Sequence, residues 1–127
     1  MIQKRTFSKK EHLCGEIRIS KLYTEGKAFI VYPLRVVYMT TPEQLDVSIK
    51  VLVSVPKKRF KHAVDRNRLK RLMREAYRLN KMDISKIIEQ KNIHMQIAFN
   101  YVADKMVDFE TMNEKMQIAL RKISEKQ

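Results

Sequence analysis

From Lys57 to Lys81 the chain reads KKRFKHAVDRNRLKRLMREAYRLNK, with eleven lysines and arginines against two acids, Asp65 and Glu75. Wound as an α-helix at about 100° per residue, the segment puts Leu69, Leu72, Met73, Ala76 and Tyr77 on one arc. Asn67, Lys70, Arg71, Arg74, Arg78 and Lys81 fall on the neighbouring arc. Such a helix needs an apolar layer under one side and open space over the other. The cations advance by roughly one turn, about 5.4 Å, a step comparable with the phosphate spacing of a nucleic-acid strand. A solvated basic face is the alternative reading. Solvated faces usually carry acids at i,i+4 to pair with the cations, and this row is nearly free of them. Charge at that density calls for an anionic partner.

The segment carries +9 of the formal net charge of +13, and the other 102 residues share +4. A balance of that kind points to nucleic acid or an anionic surface. With 127 residues and 44% hydrophobic composition, residues 1–127 suit one folded domain with one core, preceded by a loose basic arm over residues 1–7 that carries Lys4 and Arg5. No run of about 18 apolar residues exists to span a membrane. The first residues lack the apolar stretch of a secretory signal. A single cysteine, Cys14, excludes an internal disulfide and suits a reducing, cytoplasmic location.

In chain order, Ser8-Lys9-Lys10-Glu11 fits a capping box and predicts a helix from there to Glu25, stopped by Gly26. Residues 28–40 predict one long strand in which Pro33 marks an edge or a bulge. A turn at Pro42–Glu43 follows. Residues 46–55 alternate, with Val47, Ile49, Val51, Val53 and Val55 on one side. The two strands are expected to pair as an antiparallel hairpin. Pro56 ends the second, and the basic helix follows over Val64–Asn80, with Asp65 at its positive end. Residues 84–91 predict a short helical turn. His94–Ala103 alternates again, and Asp108–Glu125 has helical spacing at Phe109, Met112, Met116, Leu120 and Ile123. The order α-β-β-α-β-α predicts an α/β (α+β) fold, a mixed sheet covered by helices.

Catalysis by protein side chains finds little support. His12, His62 and His94 are scattered and sit in no metal motif, and one cysteine excludes a zinc ribbon. The expectation is no catalytic residue, no metal ligand and no protein-bound cofactor. RNA binding fits better. Arginine grips phosphate with a planar fork and stacks on bases. Phe29, Tyr32, Tyr38, Phe99 and Tyr101 either stack unpaired bases or pack the core. A DNA-binding helix-turn-helix lacks its first helix, because a strand and Pro56 occupy that place.

The run Ser54-Val55, Lys57-Lys58, then Ala63-Val64-Asp65-Arg66-Asn67-Arg68-Leu69-Lys70-Arg71-Leu72-Met73-Arg74-Glu75-Ala76-Tyr77-Arg78 resembles the signature of the bacterial ribonuclease P protein family. The element order is similar along nearly the whole chain, including Leu22-Tyr23 before Gly26. The resemblance implies a two-layer sandwich like the second domain of ribosomal protein S5, with a left-handed crossover between parallel strands. It implies a protein subunit that binds a catalytic RNA and the 5′ leader of precursor tRNA, so that the leader is removed to give the mature tRNA 5′ end. Cleavage is then carried by the RNA with its magnesium ions, in a 1:1 complex with the protein and away from membranes. Matched position by position, Arg66, Asn67, Arg68, Lys70, Arg71 and Arg74 are implied to contact the RNA subunit. Tyr23, Val36, Tyr38, Lys57 and Lys58 are implied to line the leader cleft. Ile19 stands where the family often has a second aromatic, and Lys61-His62 replaces its usual Gly-Asn, with one extra residue in the connection. A structural RNA-binding protein of ribosomal or assembly type is the alternative.

Overall fold

The computed structural model describes residue 7, residues 9–41 and residues 47–127. A 3-10 turn at Lys9–Glu11 precedes α1 (Glu16–Glu25), β1 (Lys27–Val31), β2 (Leu34–Thr41) and β3 (Ile49–Ser54). Then come α2 (Ala63–Asn80), α3 (Met82–Gln90), β4 (His94–Tyr101) and α4 (Phe109–Glu125). The strands form one mixed sheet in the order β1-β2-β4-β3.

Alternation along β4 builds the core. Met95, Ile97, Phe99 and Tyr101 are all fully buried on one side of the sheet. They meet Val36 and Tyr38 of β2, Val51 and Val53 of β3, and the apolar faces of three helices. From α2 come Leu69, Met73, Ala76 and Tyr77; from α4 come Met112, Met116, Leu120 and Ile123; Ile84 and Ile88 of α3 close the end. Unbranched methionine fills the irregular gaps between these layers. On the opposite side α1 lays Leu22 and Ile19 over Val37, Ala98, Leu52 and Met39. The helix α4 begins where Asp108 accepts the Thr111 backbone N–H at 2.9 Å, satisfying one of the free amides of its first turn.

Three expectations about the strands and first helix are corrected. The single strand over 28–40 is two strands, because Tyr32 and Pro33 form a turn. β1 folds back antiparallel on β2, with Val31 opposite Leu34 and Lys27 opposite Tyr38. The hairpin is therefore β1–β2, and the expected pairing of 28–40 with 46–55 does not form. β3 instead lies parallel to β4, from Ile49 opposite Met95 to Ser54 opposite Asn100. β4 enters between β2 and β3 and runs antiparallel to β2. Alternation reports which side of a strand is buried and is silent about the strand beside it. The crossover from β3 to β4 carries α2 and α3.

The first helix is shorter than expected. His12 forms a parallel bridge with Val51, and the Leu13 N–H donates to the Val51 carbonyl at 2.8 Å. The outer edge of β3 thus takes up backbone groups that a continuous helix would have satisfied internally. Gly15, at φ 98°, turns the chain into α1. Ser8 and the Pro42–Glu43 turn lie outside the described residues.

α1 ends at Gly26, where there is no space for a side chain. Its φ is ordinary, yet a Cβ there would sit 2.4 Å from the Leu22 carbonyl oxygen and 2.9 Å from Val37 Cγ1. Gly26→Ala is therefore expected to cost about 1–3 kcal/mol by overpacking the seam between α1 and β2. Urea unfolding checks this as a lower midpoint at unchanged slope.

Candidate nucleic-acid interface

The buried row Leu69, Met73, Ala76 and Tyr77 fixes the rotation of α2 about its axis and leaves the cationic side outward. The predicted RNA-contacting residues then divide by what they touch. The Arg66 guanidinium donates to the carbonyls of Phe60 at 2.8 Å and Lys61 at 2.9 Å. It is a clip that folds the 57–62 connection against the start of α2. Asn67, Arg68 and Arg71 are exposed, and Lys70 and Arg74 are half-buried. Among the described residues, Arg68, Lys70, Arg71 and Arg74 carry no ion pair.

The cationic row is shorter than its spacing suggests. Arg78 grips both carboxylate oxygens of Glu75, one at 3.1 Å. That contact holds the Glu75 carboxyl below its ordinary pKa and raises Arg78. Lys81, at the far end, is 7% exposed and pairs with Glu11 of the 3-10 turn. Lys57 and Lys58 are exposed in the turn after β3. Arg59 beside them pairs with Asp104 at 2.5 Å.

On the other side of the sheet α1 leaves one level uncovered. Ile30, Arg35, Asn100 and Ser54 stand side by side across β1, β2, β4 and β3. The Tyr23 hydroxyl reaches over from α1 and donates to Asn100 Oδ1 at 2.6 Å, and Asn100 Nδ2 donates to the Arg35 carbonyl at 3.3 Å. Burial raises the Tyr23 pKa, opposed by its bond to Asn100 and by the Arg35 charge. Tyr23 thus borders the open level. Val36 and Tyr38 do not: at 0% and 3% exposure they point into the core beneath α2 and α4, away from the cleft that they were expected to line. The tyrosine ring meets the edge of Phe29 at 5.9 Å, with Lys126 Nζ 5.9 Å from its centroid. Successive β2 residues face opposite ways, so Arg35, Val37 and Met39 face α1. Ile19 packs beneath α1 rather than presenting a stacking surface.

Sequence reasoning missed Arg35, Asn100, Phe7 and His12. Arg35 had a signal, as the lone charge in 28–40. Asn100 had one as well, as a polar residue between two core aromatics. Phe7 and His12 had none: they stack at 4.2 Å and 20°, and the edge of Phe7 meets Tyr77 at 5.5 Å. Burial lowers the His12 pKa, the Arg74 charge lowers it further, and Glu11 opposes both. Among the described residues no three His, Cys, Asp or Glu side chains gather closely enough to hold a metal ion.

The sequence profile of the ribonuclease P family matches residues 7–124. The chain belongs to the ribonuclease P protein family. It is 48% identical over 117 residues to a ribonuclease P protein component from Porphyromonas gingivalis, covering 92% of this chain and 85% of that protein. A counterpart from Chlorobium phaeobacteroides is 34% identical over 125 residues, covering 91% and 86%. Among solved structures, the Staphylococcus aureus RNase P protein superposes with a TM-score of 0.71 at 19% identity, covering 89% of this chain and 94% of that one. The Thermotoga maritima RNase P protein gives 0.69 at 24% identity, covering 88% and 96%. These two share the fold.

Two outcomes separate arginines held by the fold from arginines left to solvent in this family member. Arg66→Ala is expected to lower stability by about 1–3 kcal/mol through its two lost carbonyl bonds, while Arg71→Ala stays within about 0.5 kcal/mol of the parent; thermal unfolding decides. The His12 ring should titrate below 6.5, and Arg74→Ala should raise its midpoint, as followed by NMR. Because the folded pKa lies below the unfolded one, this histidine's contribution to stability is complete above 6.5 and is lost as pH falls toward the folded value.

Proposed function

We propose that the chain is the protein component of ribonuclease P, the endoribonuclease holoenzyme of tRNA 5′ processing. The observation that carries the reading is the match to this family along residues 7–124. The surface supports it. α2 presents Asn67, Arg68, Lys70, Arg71 and Arg74 to solvent without acids to neutralise them, which suits the phosphates of a structured RNA subunit. Arg66 contributes by holding the connection that sets the start of α2.

The open level of the sheet is suited to an extended single strand, which we assign to the 5′ leader of precursor tRNA. Tyr23 offers an aromatic face, Arg35 a charge, and Asn100 an amide oriented by two hydrogen bonds. Lys57 and Lys58 stand exposed beyond Ser54, where the strand would continue. Hydrolysis belongs to the RNA subunit with magnesium bound there; the protein side chains bind and orient. One protein per RNA subunit and a cytoplasmic location complete the reading. No helix among the described residues is long and apolar enough to cross a membrane.

Cleavage of precursor tRNA by a matched ribonuclease P RNA tests this at magnesium low enough that the RNA alone is slow. Added protein is expected to accelerate correct 5′ cleavage, and absence of any acceleration would overturn the reading. Replacing Arg71 and Arg74 together by Ala should weaken RNA-subunit binding and reduce its log–log salt slope by about 1.5, near the value for two lost phosphate contacts. An unchanged slope would remove those arginines from the phosphate interface.

A further inference from the structure

The geometry points to a pocket for a single unstacked nucleotide of the partner RNA, between Phe7 and the 9–13 segment on one side and α2 on the other. The inference rests on RNA binding by α2 and goes beyond it, since docking through phosphates requires no base contact. The cavity measures about 510 Å³ and is lined by Phe7, His12, Asn67, Arg71, Arg74 and the Glu75–Arg78 pair. Its volume lies in the range of about 300–1,000 Å³ typical of small-ligand sites.

Each wall supplies a different part of nucleotide recognition. Phe7 and His12 stack on each other and remain half-exposed, so flat ring surface is left for a base. Burial and the Arg74 charge favour the neutral imidazole, which stacks without needing a counterion. Arg71 and Arg74 have no ion pair among the described residues and can take a phosphate. The cavity's acid, Glu75, is held by Arg78 and so withdrawn from opposing that phosphate. Asn67 presents an exposed amide, with both donors and an acceptor for a base edge.

The aromatic wall is also anchored. His12 bridges to Val51, Leu13 donates to the Val51 carbonyl, and Glu11 pairs with Lys81 at the far end of α2. The edge of Phe7 rests on Tyr77, itself 1% exposed. The wall is thus set against α2 before any ligand arrives. A paired base in a helix presents no free face, so the ligand is an unpaired nucleotide of the RNA subunit.

The test uses the full-length protein and its matched ribonuclease P RNA. Phe7→Leu keeps apolar volume without a π face, and His12→Ala removes the second ring. Each is expected to weaken RNA binding about tenfold, as for loss of one base–aromatic stack, at an unchanged salt slope. In 2′-hydroxyl acylation of the bound RNA, one nucleotide changes reactivity with the parent protein, and that change should vanish with both variants. Affinities within twofold of the parent for both, at unchanged unfolding midpoints, would overturn the pocket. So would a weakening accompanied by a smaller salt slope, because the rings would then only position the arginines. Failure of the parent protein to bind the RNA at all would instead sink the functional reading on which the pocket rests.

Discussion

Backbone pairing along both edges of β4 is the interaction on which the rest depends. β4 accepts β2 on one side in antiparallel register and β3 on the other in parallel register. The β1–β2 hairpin and β3 are joined only through it, since neither pairs with the other. Its alternation then decides both layers. Met95, Ile97, Phe99 and Tyr101 supply the middle of the main core, and Ala98 is small enough to let Leu22 of α1 approach from the opposite side. Parallel neighbours need a long crossover, and here the crossover is α2 with α3. The basic helix is thus also part of the connection that makes the sheet possible.

That arrangement sorts the charge. Packing Leu69, Met73, Ala76 and Tyr77 against the sheet leaves α2 one rotation. Cations near the ends of α2 are consumed by structure: Arg66 by two carbonyls, Arg78 by Glu75, Lys81 by Glu11. Those in the middle are left to solvent. An uncompensated group of cations costs self-repulsion in the free protein, which an anionic partner relieves. The Glu11–Lys81 pair also ties the 3-10 turn to the end of α2, and Phe7 and His12 are carried to the side of the cations by the same segment.

Much of the architecture was legible in the sequence. The limits of α2, β4 and α4 came within a residue or two of those observed, because each has a strong period, 3.6 or 2, over a long run. The family resemblance rested on the same basic run and is shared across residues 7–124. The errors have physical sources. A Tyr-Pro turn inside an apolar run hid the β1–β2 hairpin, since the residues on either side of it are equally good strand formers. The helix expected from Ser8 gave way to a short bridge, because the free edge of β3 could satisfy the Leu13 N–H. Val36 and Tyr38, implied by the resemblance to line the cleft, face the core instead; for Tyr38 the sequence left both readings open, since an aromatic in a strand is as suited to a core as to a base.

The sequence by itself determined an acid-poor basic helix with one packed side, three strand-forming runs in outline, the first of which folds into two strands, and the family. These are local or periodic properties, written in neighbouring residues. Only the tertiary structure decided that β4 lies between β2 and β3, that Arg35, Asn100 and Tyr23 meet on one open level, and that Phe7 and His12 border the arginines of α2. Those facts depend on which distant segments satisfy one another's hydrogen bonds and fill one another's gaps, and no local pattern encodes the partner.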